Sequence, residues 1–218
     1  MTNVLHEPRH PGSAILSESN GARSRDVITI ASGSGKLEPN TVVGKIAVGS
    51  ATAAAKAGGN TGNGAISAIS VLQGAMTGVY TARCITAAAN GGVFRVENPK
   101  GDVIGDVAVG AAFSDDIGFT ISDSSADFVV GDGFDITVAA GSGKYKPSPM
   151  TGADGSEQAL AVIIYGVDAT SADVKTVAIT DDATMIMDEL VFHASVDDAA
   201  KRQAKFDQLR ANSGIKVR

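Results

Sequence analysis

The sequence predicts a mostly β protein with one C-terminal helix. It reads as a small β-barrel domain interrupted by an inserted antiparallel β-sandwich-like domain and preceded by an extended N-terminal arm. Three observations predict this. Apolar and polar residues alternate with period two over several short runs, the pattern of strands with one buried and one wet face. Glycine supplies 26 of 218 residues while aromatics make up 5%, which favours short strands and many turns over long helices. Glycine-rich joints near residues 50 and 143 separate stretches of different charge.

Residues 1–26 are polar and punctuated by Pro8, Pro11, Gly12 and Gly21, with Ala14-Ile15-Leu16 as a short apolar island. Such a stretch buries too little surface to fold alone, so it reads as the arm. Val27-Ile28-Thr29-Ile30 is the first strand and residues 41–48 the second, after a turn at Pro39-Asn40. Residues 50–57 are nearly all small, and residues 58–64 read as a flexible linker. Strands with clean alternation follow: Tyr80, Ala82 and Cys84; Phe94 and Val96; Phe134, Ile136 and Val138. Asn90-Gly91-Gly92 and Asn98-Pro99-Lys100-Gly101 supply turns between them. A second Gly/Ser/Pro stretch runs from Gly141 to Gly155, and strands resume at 159–165, 174–180 and 189–193. The helix comes late. Ser195 is placed to cap it, Asp198 to favour its first turn, Ala199, Phe206 and Leu209 to form its apolar stripe, and Gly214 to end it. Residues 215–217 form a last short strand. The domains are then an arm over 1–26, a discontinuous domain over 27–50 and 143–218, and an insert over 51–142.

Charge narrows the function. The chain carries 18 basic against 24 acidic residues, a net charge of -6, which argues against a nucleic-acid partner because that needs a basic stripe. Residues 51–143 hold four basic against nine acidic residues, so most of the excess sits on the insert. No run approaches the roughly 18 apolar residues of a membrane span, and the first twelve residues lack the apolar core of a secretory signal. The expectation is a soluble protein made in a cytoplasm. Cys84 is the single cysteine, so an internal disulfide is impossible.

Several motifs invite chemistry and fail on spacing. His6-Glu7-Pro8-Arg9-His10 matches the metalloprotease pattern H-E-x-x-H, but that chemistry needs both imidazoles on one helical face. Pro8 and Pro11 bias the preceding residues away from helix. Gly33-Ser34-Gly35-Lys36 and Gly141-Ser142-Gly143-Lys144 echo half a phosphate loop. The required earlier glycines are Ile30 and Val138, and the residues after the lysines are Leu37 and Tyr145. The aspartates of the insert never adopt calcium-loop spacing. His193 has no Ser or Cys partner readable from spacing, and Cys84 reads as a small buried hydrophobe. No catalytic, metal or cofactor site is assigned; the chain reads as a binding or scaffolding protein and not as an enzyme.

The flanking blocks carry a resemblance. Residues 16–25 (Leu-Ser-Glu-Ser-Asn-Gly-Ala-Arg-Ser-Arg), the Thr/Val/Ile strand and Thr41-Val42-Val43-Gly44-Lys45-Ile46 resemble the start of the lambda-type head decoration proteins of tailed phages. Gly143-Lys144-Tyr145, residues 153–163, Asp168-Ala169-Thr170, Glu189-Leu190-Val191-Phe192 and Gly214–Arg218 resemble the continuation. The match covers residues 12–50 and 143–218; residues 51–142 are the departure.

This resemblance implies a homotrimer at three-fold and quasi-three-fold positions on the outer capsid surface of the virion, cementing the major capsid protein, with neither nucleic acid nor membrane as partner. The arm over 13–30 would grip the shell by adding a strand to an exposed edge. Ala14, Ile15, Leu16, Val27 and Ile28 would be its apolar contacts, with Arg23 and Arg25 pairing with capsid carboxylates. Three arms per trimer multiply a weak contact by roughly 10²–10⁴, and binding only the expanded lattice stabilises it by mass action. An alternative is a surface-displayed adhesion module whose inserted domain binds a host glycan or protein. No ligand is assigned to the insert.

Overall fold

The computed structural model describes residues 9–218. These divide into two compact units: the described residues up to Ile46 together with Gly143–Arg218, and Ala47–Ser142. The first unit carries β1 (Ile15–Glu18), the short α1 (Gly21–Ser24), β2 (Arg25–Ile30), β3 (Gly35–Leu37) and β4 (Val42–Lys45). The second carries β5 (Val48–Ala55), β6 (Ala65–Ile66), β7 (Ser70–Val71), β8 (Gly78–Ala88) and β9 (Gly91–Glu97), then β10 (Val103–Ala108), β11 (Ala112–Ser114), β12 (Ile117–Ser122) and β13 (Gly133–Ala140). The first unit resumes with β14 (Tyr145–Pro147), β15 (Ala159–Ile163), β16 (Val167–Ala169), β17 (Val174–Ile179), β18 (Ala183–Met185), α2 (Ala199–Ser213) and β19 (Lys216–Val217).

In the first unit β14, β2, β17, β15 and β4 close a barrel in that order. Ile28, Ile30, Val43, Ala161, Ile163 and Ala178 belong to one of its two cores. Strand β15 is apolar on both faces: Ala161 and Ile163 join that core, while Ala159 and Val162 join the other with Phe206 and Leu209 of α2. Ala14, Met185 and Ile215 complete the second core from the three-stranded sheet β1-β18-β19 and its flanks.

Helix α2 starts later than its predicted cap. Asp198 is the N-cap, its carboxylate accepting from the Lys201 N–H at 2.7 Å, while Ser195 is engaged elsewhere. Ala199 is exposed, so the buried stripe is carried by Phe206 and Leu209. Gly214 ends the helix at φ 64°, the left-handed conformation glycine adopts without strain. The strand predicted over 189–193 is instead a single helical turn at Met187–Glu189 and one bridge from Val191 to Thr41.

The extended arm predicted over 1–26 is corrected by the structure. Residues 1–8 lie outside the described residues, but Ile15–Glu18 is a strand of the body, paired antiparallel with β18, and Ala14 is fully buried. Some of the polar groups of this stretch find partners more than 150 positions along the chain, Ser13 at Glu189 and the Ser19 N–H at the Asp182 carbonyl, where local composition does not register them.

The second unit is a two-sheet structure around one core. A five-stranded sheet, β10-β9-β8-β13-β5, supplies Tyr80, Phe94, Val96, Ile136 and Val138. A smaller sheet, β11-β12-β6 with β7 also on β12, supplies Phe113, Ile117, Phe119 and Ile121. The alternation in β8, β9 and β13 therefore predicts the correct buried face.

The flexible linker predicted over residues 58–64 is also corrected. Val48–Ala55 is an edge strand paired with β13. The loop after it is held by Asp132, whose carboxylate accepts from the N–H groups of Thr61 and Gly62 at 2.9 Å and of Val129 at 3.1 Å. Burial alone would raise the Asp132 pKa, but these donors hold it below the ordinary value.

At the join in the first unit, the Gly143 N–H donates to the Ile46 carbonyl at 2.9 Å and the Ile46 N–H to the Lys144 carbonyl at 2.8 Å. The first of these is the bond that closes a two-residue turn. Replacing residues 47–142 with Asn-Gly is therefore expected to give a soluble, cooperatively melting barrel unit. A product without a thermal transition would show that the barrel depends on the excised residues.

Candidate functional site

The leading segment is pinned before it reaches β1. Arg9 lies 3.8 Å from Glu38 and 3.5 Å from Glu189, and donates to the Asp188 carbonyl at 3.2 Å. Ser13 donates to the Glu189 carboxylate at 2.8 Å, and the Asn40 amide donates to Ser13 Oγ at 2.9 Å. A turn at Gly12, with φ 76°, then delivers Ala14 into the core, where its carbonyl accepts from the Ile186 N–H at 2.7 Å.

The structure separates the seven predicted contact residues into four groups, Arg25 standing alone as the last. Ala14 and Ile28 are core residues at 0% and 6% exposure, so they cannot touch a partner without unfolding. Ile15 is half-buried against the same core as Ala14. Leu16, Val27 and Arg23 face solvent, Leu16 at 55% and Val27 at 67%.

Arg25 is spent inside the chain. Its guanidinium forms a two-pronged pair with Glu18, one prong from Nε to Oε2 at 2.9 Å, and Ser24 Oγ donates to the same carboxylate at 2.9 Å. The Arg25 hydrogen bond holds the Glu18 carboxyl below its usual range, and Glu18 in turn raises the Arg25 value. The predicted pairing of Arg25 with an outside carboxylate would first have to break this pair.

The Glu18–Arg25 pair joins the strands that carry Leu16 and Val27. Leu16 lies on β1 at a register irregularity two residues before Glu18, and Val27 lies two residues from Arg25 on β2, on the same face as that arginine. Tyr165 is 50% exposed and stands near enough to Arg25 to bear on its charge. Sequence reasoning missed Tyr165 because it ends an apolar run, residues 159–164, whose other members are mostly buried. Strand β1 is the edge of its sheet. Leu16, Val27 and Tyr165 are thus exposed apolar side chains, and among the described residues β1 ends its sheet, a position where soluble proteins usually place charge.

The polar groups that could suggest chemistry serve loops instead. His193 does have a partner: its Nδ1 lies 2.8 Å from Ser195 Oγ. The same nitrogen accepts the Ser195 N–H at 3.1 Å, and Ser195 Oγ accepts the Met150 N–H at 2.8 Å. This cluster locks a turn and ties it to the Met150 loop. Cys84 is buried in the second unit, and burial pushes its thiol above the ordinary value.

The first unit is thus a small closed barrel with a single long helix, and its exposed large apolar side chains include Leu16, Val27 and Tyr165. The sequence matches the family described as bacteriophage lambda head decoration protein D over residues 4–98 and 79–215. The chain belongs to that family of structural head proteins of phage, associated with the capsid at the virion surface; it is not a family of enzymes.

No curated protein sequence matches the chain. Two crystal structures of Xanthomonas campestris FlgL, in space groups H3 and C2, align at 20% identity with a TM-score of 0.33. They cover 47% of this chain and 33% of their own, a likeness too slight to carry an argument.

Proposed function

We propose that this protein cements the mature phage head. It seats as a homotrimer at three-fold and quasi-three-fold positions on the outside of the shell, contacts the major capsid protein, and holds the lattice against the pressure of packaged DNA. The observation that carries this reading is the exposure of Leu16, Val27 and Tyr165, with Leu16 on a strand that ends its sheet among the described residues. The gripping element is then the β1 edge with these exposed side chains, and not a free arm over 13–30. A strand of the shell laid along that edge gains backbone hydrogen bonds worth about 0.5–1.5 kcal/mol each. Three such contacts per trimer act together.

The test is the triple variant Leu16→Ser, Val27→Ser, Tyr165→Ser, measured by co-sedimentation with expanded empty shells. All three side chains are exposed, so the variant keeps its circular dichroism and melting temperature. Its affinity for shells falls about 100-fold or more, since each truncation removes part of the roughly 1.5–3 kcal/mol of a buried apolar side chain. Binding at the wild-type level would show that these side chains are not the contact.

A second reading has its own observation. Val129 and Val130, 41% and 65% exposed, lie in the second unit beside the start of β13, whereas the chain enters and leaves that unit beside the strand's far end, where Ala140 pairs with Val48. Apolar residues displayed away from the join suit adhesion to a host surface. The variant with Asn-Gly in place of residues 47–142 separates the two: if it still coats shells but the particles lose attachment to host cells, the second unit is the adhesive part.

A further inference from the structure

In the first unit, Arg9, Arg25, Lys36, Lys144, Lys146 and Lys201 each pair with a carboxylate of the same unit. Arg210, Lys216 and Arg218 have no carboxylate partner among the described residues, yet all three are exposed and line one polar recess of about 270 Å³. Asp207, the acidic side chain on its wall, is engaged by the Gln203 amide at 3.0 Å. The negative end of α2 accounts for Arg210, which lies in its last turn. Lys216 and Arg218 reach the recess from β19 and the residue after it. The Arg218 backbone is fixed there, its N–H donating to the Met185 carbonyl at 2.9 Å and its carbonyl accepting from the Met187 N–H at 2.8 Å. Three cations around one recess, in a chain of net charge -6, form an arrangement that an anion completes.

We propose that this recess takes an acidic segment of the phage shell, its carboxylates held by the two guanidinium groups and the Lys216 ammonium. The place of the recess in the fold argues for the shell. Lys216 pairs with Thr184 of β18, which pairs with Ser17 of β1, so the recess and the β1 edge lie at the two ends of one row across the same three-stranded sheet. Two strand spacings separate them, about 10 Å. A shell strand laid along the β1 edge therefore brings its neighbouring residues within reach of the recess. The planar forks of Arg210 and Arg218 match carboxylates in two-pronged geometry. The rest of this acidic chain repels such a segment, so the recess also orients the approach. Naming the shell as the source rests on the proposed function; the preference of the recess for carboxylates does not.

The experiment has one arm without shells and one with them. Hexaglutamate is titrated into the full-length free protein while the guanidinium signals of Arg210 and Arg218 are followed by NMR. They shift saturably, and neutral hexaglutamine leaves them in place. In the triple variant Arg210→Gln, Lys216→Gln, Arg218→Gln all three substituted side chains are exposed, so the melting temperature stays that of wild type. Its affinity for expanded empty shells falls about tenfold, and added salt weakens the wild type more than the variant. Three results overturn the proposal. One is guanidinium signals that ignore hexaglutamate or answer hexaglutamine equally. Another is a triple variant that coats shells with wild-type affinity and salt dependence. The third is self-association of the free wild type that the triple variant loses, which would give the recess to the acidic second unit of another copy. A wild type that coats no shells sinks the proposed function and with it the shell as the source, while hexaglutamate still decides the recess.

Discussion

Gly44→Ala is expected to stop the barrel from closing. A Cβ on Gly44 would fall 2.0 Å from the Ser156 carbonyl oxygen and 2.5 Å from that of Gln158. Both are backbone atoms, so no side chain can swing aside. Retreat of the strand is blocked as well. Gly44 sits opposite Lys146 of β14 on one side and Ala159 of β15 on the other, so moving β4 breaks two ladders at once. A clash of this kind costs about 4 kcal/mol or more, a large part of the 5–15 kcal/mol that holds a typical domain together. The measurable outcome is loss of soluble protein, or a melting temperature for the barrel lower by roughly 15 °C. Gly91→Ala is the contrast: its Cβ meets nothing nearer than 3.8 Å, and it should melt as wild type. If Gly44→Ala melts within about 3 °C of wild type, the strand has slack that this packing denies.

Lys205→Met is expected to detach α2 from the loop that runs before β15. Lys205 is fully buried, and its ammonium donates to Ser148 Oγ at 3.0 Å, the Pro149 carbonyl at 2.6 Å and the Glu157 carbonyl at 2.5 Å. Gln208 Oε1 stands 3.3 Å away and also accepts the Ala159 N–H, so the helix, the loop and β15 meet at one cation. Methionine fills the same volume but leaves those oxygens without a donor, at about 1–3 kcal/mol for each that water cannot reach. A net loss of about 3 kcal/mol follows, read by denaturant unfolding.

The same residue makes stability depend on pH in a fixed direction. Burial pushes the Lys205 pKa from 10.5 to about 8, with the Glu157 charge pulling the other way. The folded value is the lower one, so between pH 8 and 10.5 the unfolded chain binds more protons. Stability then rises with pH across that window and is flat below it as far as this group is concerned. The gain is about 3 kcal/mol at most, reduced by the acceptors that favour the ammonium. Tyr80 and Tyr145, both raised chiefly by burial, work in the opposite sense at high pH. The quantity to follow is therefore wild type minus Lys205→Met. A difference that stays constant from pH 7.5 to 10.5 would rule out a buried, depressed lysine at this position.

What could be read in the sequence was whatever depends on near neighbours. The alternation through Tyr80–Cys84, Phe94–Val96 and Phe134–Val138 places each residue on its correct face, because strand geometry repeats every two residues whatever the partner strand is. Gly214 marks the end of α2 because a left-handed residue is a local need. The mostly β class follows from the same signals. The start of α2 was misread by one turn, because Ser195 and Asp198 are equally good caps by type. Only packing shows that Ser195 is taken by Met150 and His193.

The course of residues 9–26, the exposure of Leu16 and the buried cation were decided by the tertiary structure alone. Residues 13–26 have the composition of a free arm, yet Ser13 meets Glu189, Ala14 meets Ile186 and Ile15 pairs with Met185. Leu16 and Ile15 are both apolar neighbours, but a register irregularity between Ile15 and Ser17 leaves Leu16 facing water. Lys205 has the sequence surroundings of any surface lysine on a helix, and Gly44 those of any glycine between apolar residues and a lysine. In each case the partner lies tens to hundreds of positions away. Burial is a property of the whole chain's path, and a window of neighbouring residues carries no information about it.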